Sequence, residues 1–293
     1  MIACIDIGGT AIKVGISDEF GNLIHKDSLD VYHEKEALLK HLSDWIKKAS
    51  DSYLIDGVAM SIPGAVDSKT GLVGGSSAIP CIHEVNWKLE LGKLTNLPIS
   101  IENDANCAAL AEAFNGAGEK LNDLLFLVCG TGIGGAIVKD GKIHHGKHFH
   151  GGEFGYMLME EDDGEFYNFS NVASTMSLVR KARAHYNDET YDGIRVFEEA
   201  AKGDEFCIQI IERFYLNLAK GIFNLQYMYD PEMILIGGAI SGRDDFLDRL
   251  NEALDYLLKK IKIAKVRPKL GICKHKADAN LIGALAHFLQ EYK

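Results

Sequence analysis

Several features are missing from this sequence, and each absence removes a class of protein. There is no Cys-x-x-Cys pair. The six cysteines (Cys4, Cys81, Cys107, Cys129, Cys207 and Cys273) are scattered, most of them inside apolar runs. They read as buried, reduced thiols of a cytoplasmic protein rather than as zinc ligands. No apolar segment is long enough to span a bilayer; the longest, Leu124 to Val138, is broken by glycines. No basic stretch precedes an apolar run at the N-terminus, so no export signal and no membrane partner are expected. Positive charge is in deficit: 31 Lys and Arg stand against 42 Asp and Glu, a formal charge of −11. That balance argues against a nucleic-acid partner, because binding a phosphate backbone rewards a basic surface. It leaves open small phosphate-bearing ligands, which need only a local set of backbone N–H groups. The motif G-x-x-x-x-G-K-[ST] is absent, so the chain is not a P-loop protein.

What is present is a 293-residue chain, 47% hydrophobic and 25% charged, with no low-complexity linker. This is the balance of a globular protein, long enough for two domains. Two segments share one design. Ile2 to Ile16 reads as strand, glycine turn, strand, followed by a turn at Glu19–Asn22; Leu124 to Val138 reads the same way, followed by Lys139–Lys142. The repeat predicts a duplicated α/β architecture of two lobes, with a glycine turn from each facing a shared cleft. Its boundaries fall at 1–116 for the smaller N-terminal lobe and 117–277 for the larger one. A closing helix, 278–293, is expected to pack back on the first lobe. Helices are predicted over Glu34–Ala49, Ala105–Phe114, Asp204–Tyr229 and Ala279–Tyr292, the last capped by Asp278. Short buried strands are predicted at Gly57–Ile62, Ile99–Glu102 and Met233–Ile236.

Five stretches carry residues suited to chemistry. Asp6-Ile-Gly-Gly-Thr10 lies between two strands: its glycines let backbone N–H groups approach phosphate, Thr10 offers a hydroxyl and Lys13 a cation. Asp6 suits that company if it holds Mg²⁺ through water; the other reading is a plain hairpin turn. Gly130-Thr-Gly-Ile-Gly-Gly135 fits G-x-G-x-x-G, but it runs on into a strand where a dinucleotide fold would open a helix. It reads better as a second phosphate turn, through Gly130, Thr131 and Gly132. Glu102-Asn-Asp-Ala-Asn106 sits at a strand-to-helix junction, so Asp104 is either a helix-start carboxylate or a ligand-facing one at a strand's carboxyl end. His144, His145, His148 and His150 precede Gly151-Gly-Glu-Phe-Gly-Tyr156. They read as a solvated loop near a polar ligand ahead of a metal site, and Glu153 could accept hydrogen bonds from hydroxyls. Gly237-Gly238 ends an apolar strand, either as a simple turn or as a close approach to a planar base.

In this order, with Pro63-Gly-Ala-Val-Asp67, these motifs resemble the ROK family of sugar kinases over essentially the whole chain. The resemblance implies an actin/hexokinase-like (ribonuclease H-like) fold that closes its lobes around substrate. It implies a homodimer, with ATP, Mg²⁺ and a sugar as small-molecule partners. By the same resemblance Asp6, Gly8, Gly9, Thr10, Lys13, Gly130, Thr131 and Gly132 hold ATP phosphates, and Gly237 and Gly238 lie near the adenosine. Gly64, Asn103, Asp104 and Glu153 are assigned to the sugar, Asp104 taking the proton of its 6-hydroxyl. One position departs from the family's zinc-bearing glucokinases. Tyr156 stands where they have His before a cysteine-rich zinc module, and no cysteine follows until Cys207. Zinc is therefore not expected. Gly152-Glu-Phe-Gly-Tyr-Met-Leu158 looks like the zinc-less β-glucoside kinases, which phosphorylate the non-reducing glucose of disaccharides such as cellobiose. Alternatives in the same family are a glucokinase or an N-acetylmannosamine kinase. A sugar-responsive repressor or an actin-like filament protein is more distant.

Overall fold

The computed structural model describes residues 1–293. The chain opens with a meander of β1 (Ile2–Ile7), β2 (Ile12–Ser17) and β3 (Leu23–Leu29), and α1 (Lys35–Ser50) then leads to β4 (Gly57–Ile62). A small sheet of β5 (Ala65–Asp67), β6 (Leu72–Gly74) and β7 (Val85–Asn86) follows, then α2 (Trp87–Thr95), β8 (Ile99–Asn103) and α3 (Asp104–Asn115). The pattern restarts with β9 (Leu124–Cys129), β10 (Ile133–Lys139) and β11 (Lys142–Ile143). A hairpin, β12 (Leu158–Asp162) and β13 (Glu165–Asn168), introduces α4 (Phe169–Ala173), α5 (Thr175–Tyr186), α6 (Gly193–Ala201) and α7 (Glu205–Tyr229). The chain ends with β14 (Met233–Gly237), α8 (Phe246–Lys260), β15 (Leu270–Ile272) and α9 (Ala279–Tyr292).

Two five-stranded sheets result, ordered β3-β2-β1-β4-β8 and β11-β10-β9-β14-β15. In the first, β1, β4 and β8 are parallel neighbours; in the second, β9, β14 and β15 are. The repeat in the sequence is therefore a repeat of topology. The chain forms two compact units: residues 1–120, 137–151 and 274–293 make the first, and 121–136 with 152–273 the second.

In the first unit β1 is buried along its whole length, which is why it reads as a continuous apolar run rather than an alternating one. Ala3, Ile5 and Ile7 join Leu38, Leu42 and Ile46 of α1 and Trp87 and Leu91 of α2 in one core. Ile2 and Cys4, on the opposite face, join Cys107 of α3 and Leu281, Leu285 and Phe288 of α9 in another. Close approach of α3 and α9 needs a glycine, since a Cβ on Gly283 would lie 1.7 Å from the Cys107 carbonyl oxygen. In the second unit α7 starts on Asp204, whose carboxylate accepts the Cys207 N–H at 2.8 Å, and stops at Asp230 in the left-handed region before Pro231. All six cysteines are free thiols, four of them buried.

One predicted cap is not made. Asp278 sits at the start of α9, but its side chain accepts no backbone hydrogen bond there. It pairs with Lys26 at 3.0 Å instead, an ion-pair partner that local sequence gave no reason to expect.

Candidate active site

Asp6 of β1, Ser61 of β4 and Glu102 of β8 share one register across the parallel strands of the first unit, and Asn103 stands beside Ile62 on the next rung. Polar groups thus gather at the strands' carboxyl ends, where open α/β sheets place ligands. Asp6 is only 6% exposed, and its Oδ1 accepts from Ser61 Oγ at 2.8 Å and Asn280 Nδ2 at 3.0 Å. Lys13 Nζ lies 3.9 Å from Asp6 Oδ2 and donates to the Ala277 carbonyl at 3.1 Å. Between β1 and β2 the turn is tight: the Gly8 N–H donates to Ala11 O at 3.1 Å, while Gly9 and Thr10 are exposed.

The junction of β8 and α3 settles which residue caps. Asn103 is the cap, its Oδ1 accepting the N–H groups of Ala105 and Asn106 at 2.9 and 3.2 Å. Asp104 is the first helical residue. Asn103 Nδ2 donates to Gly64 O at 3.0 Å, so three residues predicted for the sugar lie together here. Gly64 has φ +119, and a Cβ there would sit 2.8 Å from Gly74 O; glycine is required on both counts. Asp104 is half-buried. Burial pushes its carboxyl above the usual carboxylate value and the charge of Asp6 adds to that, against the Ala105 N–H that favours the ionised form.

Within the second unit the glycine motifs also cluster. Gly237 pairs with Val128, and Gly238, at φ +98, lies so close to the end of β9 that a Cβ would be 2.1 Å from Cys129 O. The turn after Cys129 is held by Gly130 N–H donating to Gly132 O at 2.9 Å. Thr131 is exposed at its tip. Ser170 Oγ accepts the Ile133 N–H at 2.9 Å and so pins this turn to α4. Gly152 and Gly155 lie against β10: a Cβ would meet Ala136 Cα at 2.7 Å in the first and Ile133 O at 2.1 Å in the second. That packing leaves Glu153 exposed between them, and Tyr156 is 73% exposed. A cavity of about 790 Å³ in this unit, walled by Glu160, Arg180, Lys181, Arg213 and Lys220 among others, contains none of the predicted residues. The predicted polar groups converge at the strand ends instead.

Ser61, Asn280 and Ser170 were not singled out in the sequence, since isolated serines and asparagines carry no motif. His145 is the larger omission. In a run of four histidines it read as one of a solvated set, but its Nε2 lies 2.6 Å from the buried Glu102 carboxylate. His150, by contrast, bonds only within its loop, to His148 O.

Residues 2–291 match the ROK family. A β-glucoside kinase of Listeria monocytogenes is 36% identical over 99% of this chain and 98% of its own length. The β-glucoside kinase of Klebsiella pneumoniae is 33% identical over 100% and 97%. The crystal structure of a ROK family protein from Streptococcus pneumoniae, in complex with sucrose, superposes with a TM-score of 0.92 at 39% identity, covering 99% of this chain and 98% of that one. The chain belongs to the ROK family, with the mixed α/β, actin/hexokinase-like fold of its members. Within it the protein is a sugar kinase, an ATP-dependent phosphotransferase.

Proposed function

We propose that the protein transfers the γ-phosphoryl group of ATP to the 6-hydroxyl of the non-reducing glucose of β-glucosides such as cellobiose, with Asp104 as the general base. The observation that carries the chemistry is Asp104 itself: a half-buried carboxylate at a strand's carboxyl end, its pKa raised by burial and Asp6. A base is most effective when its pKa approaches the working pH, so the upward shift suits proton acceptance from an alcohol. Phosphoryl transfer needs little else from the protein beyond positioning and charge stabilisation. In this reading Asn103, Gly64 and Glu153 orient the sugar. Gly8, Gly9, Thr10, Lys13, Gly130, Thr131 and Gly132 receive the phosphates, and Gly237 and Gly238 the adenosine.

The residues fit Mg²⁺ in its usual kinase role. The ion needs one or two carboxylates and substrate phosphates rather than a protein cage, and Asp6 accepts its hydrogen bonds on Oδ1, leaving Oδ2 with Lys13 Nζ 3.9 Å away. Bound with ATP, Mg²⁺ would neutralise charge on the phosphates. Preference for β-glucosides is supported by the two β-glucoside kinases matched end to end and by Tyr156, and room for a disaccharide by the sucrose bound to the Streptococcus relative. The reading includes a cytoplasmic homodimer.

Coupled ADP release over cellobiose, gentiobiose, glucose and N-acetylmannosamine tests it. Cellobiose or gentiobiose should give the highest kcat/KM. Activity confined to glucose or N-acetylmannosamine would replace the substrate assignment.

A further inference from the structure

The kinase reading leaves Glu102 without a task, although it sits next to Asn103 and Asp104. Its side chain is 0% exposed, and a carboxylate taken out of water persists only if its oxygens are paired. Oε1 accepts the Asn103 backbone N–H at 2.7 Å and Asn106 Nδ2 at 2.9 Å. Oε2 accepts from His145 Nε2 at 2.6 Å, and His287 Nε2 lies 3.6 Å away. Asn103 and Asn106 bracket Asp104 at the start of α3. One carboxylate therefore grips the backbone before Asp104 and a first-turn side chain after it.

His145 holds Glu102 from outside that helix start, on a segment that is itself tied down. The His144 N–H donates to Ile137 O at 2.8 Å and the Gly151 N–H to His145 O at 2.9 Å, and the His145 ring meets Phe149 edge-on. An ionised carboxylate has no proton to give, so Nε2 carries the hydrogen of the 2.6 Å bond. The bond to Glu102 keeps the His145 pKa above its ordinary 6.5 in spite of burial. Burial would raise Glu102, but the His145 bond and charge, helped by His287 and Asn106, bring it below its ordinary 4.5. His287 moves the other way: burial holds it below 6.5 against the charges of Glu102 and Glu291. The remaining charges nearby are Asp67 and Lys69 beside β5, Lys142 of β11, and Glu291 of α9 paired with Lys88 of α2. They alternate in sign, so Glu102 dominates.

We propose that His145 is a positioning residue for Asp104: by donating Nε2–H to Glu102 it fixes that carboxylate, and Glu102 in turn fixes the helix start that carries the base. The proposal rests on the reading of Asp104 as base. His145 also lines a cavity of about 240 Å³ with Lys69, His287 and Gln290, a volume of several waters and enough to admit free imidazole.

Steady-state kinetics of His145→Ala, His145→Gln and the wild type on the accepted sugar test it. His145→Ala should lose about a hundredfold in kcat, the scale of misplacing a reacting group by an ångström, with the KM for ATP nearly unchanged. Gln places an uncharged N–H near the same point, so His145→Gln should recover most of kcat at neutral pH. Added imidazole should restore part of the His145→Ala loss. Deprotonation of the imidazolium leaves the Nε2 hydrogen facing Glu102, so wild-type kcat should not fall on account of His145 as it titrates. Wild-type kcat in His145→Ala overturns the proposal. So does a folded His145→Gln that loses kcat about a hundredfold, which decides the matter alone if the alanine variant does not fold. The two readings fail separately: normal turnover by Asp104→Asn removes the base. An unshifted His145 imidazole titration by NMR in Glu102→Gln, where a fall is expected, removes the pair.

Discussion

In the proposed mechanism Asp104 takes a proton from an alcohol while standing at a helix start that favours its charged form. The Ala105 N–H at 2.9 Å pulls its pKa down, and burial and Asp6 push it up, the upward influences prevailing. Two outcomes follow. Asp104→Asn should bind ATP normally by calorimetry and lose about 10²–10⁴-fold in kcat, the range for a missing general base. A raised pKa also moves the acid limb of activity. Turnover falls as pH drops through the Asp104 pKa, at a higher pH than an ordinary carboxylate of 3.8 would give. Because Asp6 contributes to the shift, Asp6→Asn should lower the Asp104 pKa in an NMR titration. An unchanged Asp104 pKa would mean that the two carboxylates do not interact. Residue identity alone could not decide between cap and base, because both want a carboxylate at that place. In the structure the side chain of Asn103 does the capping, so that role does not fall to Asp104.

At the scale of helices and strands the sequence was legible wherever periodicity and end signals agree. Gly57–Ile62 and Ala279–Tyr292 are formed as expected, and α7 spans the run between Asp204 and Asp230-Pro231. Long-range partners were not legible: Asp278 pairs with Lys26 rather than capping, because the ion pair links positions 252 residues apart. Close packing was equally hidden, and Gly283 shows its scale. In a helix interior Gly→Ala usually stabilises by about 1 kcal/mol. Here the added Cβ would lie 1.7 Å from the Cys107 carbonyl, and forced overpacking costs about 1–3 kcal/mol or more. The clash wins, so Gly283→Ala should lower the urea midpoint by an amount measurable in a denaturation curve. A higher midpoint would show that α3 and α9 are not so closely apposed.

For the molecule as a whole, the cluster of Glu102, His145 and His287 ties stability to pH. His145 has a raised pKa, so its contribution is complete below its ordinary 6.5 and is lost as pH rises through the folded value. His287 has a lowered one, and protonating it costs stability as pH falls below 6.5. Glu102, also lowered, gives up its contribution only further down, as pH falls through a folded value below 4.5. The cluster's stabilisation should therefore peak near the ordinary histidine value and decline on both sides. Melting curves of wild type and His145→Gln across pH would check this, the difference between them shrinking above neutrality. The two-sheet repeat and most of the glycine turns could be read at the level of the whole chain, because each turn recurs in a fixed order along it. The Glu102–His145 bond could not, since 43 residues separate its partners and neither belongs to a motif on its account. The central claim is phosphorylation of a disaccharide's terminal glucose with Asp104 as base. Its most direct test is NMR of the product formed from cellobiose and ATP by the wild type and by Asp104→Asn. Phosphate should appear on C6 of the non-reducing glucose with the wild type and at most a trace with the variant. Phosphate at another position, or equal product from both proteins, would contradict the account.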